Sequence, residues 1–128
     1  MLTNCMKRYP LSLLAFLVVV VLSVCPIGAP EFTRHVPLAD KWTHMVMYGF
    51  LAATFCFEYV RVHRPSVILL RLLSWGVVLP ALIGGALELI QNYCTTYRSG
   101  EWLDFVADSI GAAIVGAIVV IYVVCKRK

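Results

Sequence analysis

Asp40, Lys41, His44 and Tyr48 bring an acid, a base, an imidazole and a phenol into a few turns of chain. Asp40, His44 and Tyr48 stand at i, i+4 and i+8, so a helix sets them along one stripe. An Asp–His pair orients an imidazole, and a carboxylate beside it suits proton transfer. Two further clusters follow. Glu88 and Gln91 close one apolar run, and Asp104 and Asp108 open the next. His44, Glu88 and Asp108 are therefore the candidates for acid–base catalysis. Asp40, Lys41, Tyr48, Gln91, Arg98 and Asp104 are the candidates for ligand binding. The planar fork of Arg98 matches a phosphate or carboxylate, or it neutralises Glu101 or Asp104 nearby. Asp40 and Lys41 also read as a helix cap and an interfacial anchor. One imidazole with several carboxylates has the donor types of a metal site. No HExxH or comparable spacing is present, so neither a metal nor a cofactor is expected.

The elements that position these groups are membrane helices. Of the 128 residues 61% are hydrophobic and 14% charged, with a mean hydropathy of +0.85. A soluble domain carries about 45–50% apolar and about 25% charged residues. The excess is gathered into long apolar runs, the pattern of bilayer-spanning segments in a single domain. The net charge of +4 comes from basic residues at the ends of those runs. That placement sets topology and does not make a nucleic-acid surface. The five cysteines contain no CxxC pair, which argues against structural zinc. Cys25 and Cys94 fall at the same membrane face, and their pairing stays open.

In order, residues 1–10 form a short polar lead and 126–128 a basic tail around a membrane domain over 11–125. Its four helices are expected at about 11–27, 42–60, 66–93 and 102–125. The first run is read as a retained helix in preference to a cleaved secretory signal. Pro80 is expected to kink the third. Glu58 and Arg61, three apart, read as a surface pair, and His35 and His63 are assigned no role. Small residues mark close helix crossings: Gly49 and Ala53, Gly84 and Gly85, and a stripe of Ser109, Ala113 and Ala117 beside Ala112 and Gly116. With both termini cytoplasmic, eight basic residues fall inside and three outside. Six of the seven acids sort outward. The fold class is an all-α, four-transmembrane-helix bundle with its polar clusters meeting at the outer rim.

Asp40-Lys41, His44 and Tyr48, then Glu88 and Gln91, then Arg98, Asp104, Asp108 and Gly111, resemble the VanZ-like family of bacterial membrane proteins. The likeness runs from about Asp40 to Gly116, although the Asp108 position is often Asn in that family. The resemblance implies a multi-pass protein of the bacterial cytoplasmic (inner) membrane with a role at the cell envelope. The family takes its name from an accessory protein that lowers susceptibility to the glycopeptide teicoplanin. Three functions stay open. One is binding of a glycopeptide or lipid-linked envelope ligand at the outer polar pocket. A second is an enzyme acting on a lipid-linked substrate. The third is a transporter, which with helices this few requires a homo-oligomer. Membrane lipids are partners in each, and nucleic acid in none.

Overall fold

The computed structural model describes residues 2–24, 39–94 and 102–127, with the backbone alone for 39 and 40. It is all-α. Five helices follow one another: α1 (Leu2–Arg8), α2 (Pro10–Val24), α3 (Ala39–His63), α4 (Leu69–Cys94) and α5 (Trp102–Arg127). Within α3, α4 and α5 lie stretches of 23, 26 and 26 residues that are long and apolar enough to cross a bilayer. At 1.5 Å per residue each exceeds the roughly 30 Å hydrocarbon core. The 15 residues of α2 fall short of that by themselves. Together α1 and α2 make a fourth candidate span, broken by a 94° bend.

That bend departs from the expected polar lead and straight first helix. Tyr9 N–H still donates to Cys5 O, and Leu13 N–H already donates to Tyr9 O. Pro10 has no N–H, so the first turn of α2 is left with the donors of Leu11 and Ser12. Glu58 takes both, one on each carboxylate oxygen, at 2.9 Å. A carboxylate at a helix N-terminus also meets the positive end of the helix dipole. Glu58 is fully buried, and this corrects its reading as half of a surface pair. Arg61 lies 3.4 Å from Glu58 and donates to Arg8 O, closing the same corner.

α3 runs on to His63, and the chain turns at Arg64–Pro65 before α4. Pro80 cannot donate within α4, and a π-helical turn over Ser74–Val78 lies just before it. Ser74 Oγ donates back to Leu70 O where that turn begins. Leu69–Cys94 counts as one span with this turn inside it.

The most extensive packing is between α3 and α5. Their backbones close at Gly49 and Gly111, where a Cβ on Gly111 would meet Met45 O at 2.2 Å. Ala52 and Ala112 are fully buried beside them. The inward face of α5 is Asp104, Ala107, Asp108, Gly111, Ala112 and Gly116. The stripe of Ser109, Ala113 and Ala117 turns outward: both alanines are exposed, and Ser109 Oγ donates to Phe105 O of its own helix. Tyr48, Leu51 and Phe55 of α3 pack with Ala15 and Val19 of α2 and Leu87 of α4. A second apolar cluster, around Cys56, Tyr59, Leu72 and Val123, fills the other half.

The bundle has two chemically different ends. The C-terminal ends of α2 and α4 meet the N-terminal ends of α3 and α5, with Gln91 donating to Ser23 O at 2.6 Å and Lys41 paired with Asp104. The opposite end carries the other described lysines and arginines. There Arg64 donates to Tyr122 OH, Lys126 lies over the same ring, and Arg127 donates to Val67 O.

Candidate functional site

The acidic end holds a polar cluster built by three helices. His44 sits on the second turn of α3, with 15% of its side chain exposed. Its Nδ1 lies 2.8 Å from Asp108 Oδ1. A carboxylate only accepts, so an ionised Asp108 makes Nδ1–H the donor. The other ring nitrogen, Nε2, then faces Asp104 Oδ2 at 3.7 Å. The two aspartates stand one turn apart on α5, so one imidazole spans both. Lys41 lies one turn nearer the rim than His44, with Nζ 2.5 Å from Asp104 Oδ1. Below, the Tyr48 ring lies parallel to the imidazole, at 2° and 6.3 Å between centroids. The ring is almost wholly buried, at 1% exposure.

Glu88 comes from α4 and is buried. Ligand-capable atoms of His44, Glu88 and Asp108 all lie within 4.8 Å of one another. This is the meeting of three clusters that the spacing predicted. The fit of α4 against Asp108 depends on Gly84, one turn before Glu88. A Cβ there would stand 2.6 Å from Asp108 Oδ2 and 3.1 Å from its Cβ. Glycine at this position lets the carboxylate lie against the α4 backbone. Asp108 Oδ2 is fully buried and has no hydrogen-bond partner among the described residues. Buried carboxylates are costly at membrane depth unless cations or donors face them, so this arrangement is not incidental to packing.

Beside the cluster, a groove of about 690 Å³ opens between α4 and α5. Leu82, Leu89, Trp102 and Phe105 give it apolar walls, and Glu88 lies at its edge.

The structure brings together Lys41, His44, Tyr48, Glu88, Asp104 and Asp108. Gln91 is buried at the same end, where its amide holds the carbonyl of Ser23 on α2. The side chain of Asp40 and all of Arg98 lie outside the described residues. The partner of His44 shown here is Asp108, across the helix crossing, where the stripe on α3 had suggested Asp40. The sequence marks Gly84 as a close-crossing residue, and the structure sets Asp108 against it. Its link to the site is the i, i+4 relation to Glu88. The groove walls were missed, because Trp102 reads simply as an interfacial aromatic.

Chemically the cluster offers an oriented imidazole, three carboxylates and an ammonium in a partly water-excluded place. It can accept and donate protons, bind a polar head group, or hold a cation. Comparison with protein-family models, curated proteins and solved structures finds no match for this chain. What the fold supports is a small helical protein with three candidate membrane spans, or four with the bent pair.

Proposed function

We propose that this chain is a VanZ-like, envelope-associated protein of the bacterial inner membrane. Both termini are cytoplasmic, and the acidic pocket faces outward. The pocket binds a glycopeptide antibiotic or a lipid-linked envelope ligand, a role like that of glycopeptide-resistance accessory proteins. The observation that carries this reading is the junction of two unlike surfaces at Glu88. A buried polar cluster lies on one side, and the lipid-accessible groove between α4 and α5 on the other. That combination suits an amphiphile whose chain lies along Leu82, Leu89 and Phe105 while its head group meets His44, Lys41 and the carboxylates. The basic residues gathered at the opposite end support the outward orientation of the pocket. Expression in a teicoplanin-susceptible bacterium tests it. The inhibitory concentration rises, or purified protein retains a lipid-linked envelope precursor; if neither occurs, the reading fails.

The His44–Asp108 pair favours a second reading. A carboxylate-oriented imidazole beside Glu88 is a general acid–base pair, which would make the chain an enzyme acting on such a lipid-linked substrate. Labelled envelope lipids left chemically unchanged by the purified protein would exclude it.

A further inference from the structure

We propose that His44, Glu88 and Asp108 form the site of one divalent first-row metal ion, with Mn2+ and Zn2+ matching its donors best. The inference goes beyond the absence of a metal motif in the sequence, because each donor comes from a different helix. The donor set is one imidazole nitrogen and two carboxylates, all within 4.8 Å of one another. Donors sharing an ion at about 2.0–2.2 Å stand roughly 3–4.4 Å apart, so a small side-chain adjustment closes the set. Asp108 Oδ2 gives an independent indication. It is a fully buried carboxylate oxygen with no hydrogen-bond partner among the described residues, lying against Gly84 on the helix that carries Glu88. A dication facing Asp108 and Glu88 brings their joint charge to zero, which hydrocarbon surroundings favour.

The imidazole argues against Mg2+ and Ca2+, which prefer all-oxygen sets, and suits Mn2+ or Zn2+. Three protein donors leave coordination positions open. An anionic head group in the adjoining groove can occupy one of them, as a metal site that takes an external ligand requires. Coordination through Nδ1 replaces its N–H bond to Asp108 Oδ1, with that proton moved to Nε2; Nε2–H then faces Asp104 at 3.7 Å, just outside the set and paired with Lys41. The partly exposed edge of His44 supplies an entry path from the rim.

The inference rests on the pocket of the proposed function, but its test reads metal alone. Full-length protein in phosphatidylcholine nanodiscs is stripped with EDTA and titrated with Mn2+, which avoids competition from the cysteines. Electron paramagnetic resonance counts bound ion, and its echo modulation detects a coordinated imidazole nitrogen. We expect saturation at one Mn2+ per chain with imidazole modulation, and Glu88→Gln weakening binding about ten-fold or more. Saturable binding without imidazole modulation, or no saturable binding, overturns the site. The spectrum of the parent protein decides this even if a variant fails to fold. Metal binding without any effect on envelope ligands would leave this site standing and defeat only the proposed function.

Discussion

His44 on α3 and Asp108 on α5 meet at 2.8 Å, with Asp108 three residues before Gly111, where the two backbones pack against each other. The pair couples the site to the fold. The imidazole cannot reach Asp108 unless α3 and α5 approach as closely as Gly49 and Gly111 allow. A double-mutant cycle should expose the coupling. His44→Ala alone leaves Asp108 buried without its donor, whereas the same change over Asp108→Asn does not. We expect an interaction of about 1–3 kcal/mol from reversible unfolding in detergent. Additive effects would mean that the two side chains are neighbours without a bond.

The crossing itself makes a sharper prediction. A Cβ on Gly111 would lie 2.2 Å from Met45 O and 3.0 Å from two further backbone atoms of Met45, none of which can swing aside. At Gly49 the nearest atoms stand at 3.5 Å, an ordinary contact. Gly111→Ala should therefore cost about 1–3 kcal/mol, while Gly49→Ala stays near neutral because alanine also favours the helix. Thermal midpoints of the two variants in one detergent compare them. Equal midpoints would deny the close approach at Gly111.

Glu58 should matter although it lies far from the pocket. Its two oxygens hold the N–H groups of Leu11 and Ser12, where Pro10 opens the chain. Glu58→Gln loses the charge and one acceptor, and we expect about 1–3 kcal/mol of lost stability. Arg61→Ala, at a half-exposed position, should cost well under ~1 kcal/mol. The readout is the thermal midpoint in one detergent, lowered in Glu58→Gln and close to the parental value in Arg61→Ala.

Much of this was legible in the chain. Apolar run length gave the helices of the bundle, and the order of acids and bases gave two unlike ends. The clusters around His44, Glu88 and Asp108 were legible because each sits at the end of a run. Their meeting across helices is legible as well, because the three clusters stand at the same depth. The register that sets His44 Nδ1 on Asp108 Oδ1 depends on how α3 crosses α5, which spacing within one helix does not reveal; the side chain of Asp40, at i−4 from His44, lies outside the described residues. Two small-residue stripes lie side by side on α5. Four-residue spacing favours the one through Ser109, whereas the buried face carries Asp104, Asp108 and Gly111, at i, i+4 and i+7. Glu58 looked like a surface acid because its partners, Leu11 and Ser12, are remote in sequence. The break at Tyr9–Pro10 was hidden because proline at a helix start is ordinary.

The most direct measurement of the central claim uses Glu88→Gln, which keeps the shape of the side chain and removes its charge. Membrane abundance and thermal midpoint are measured first, so that only folded protein is compared with the parent. At matched abundance, the teicoplanin inhibitory concentration of the expressing host should fall to that of cells carrying empty vector. A folded Glu88→Gln protein that protects as well as the parent would contradict the pocket as the working site.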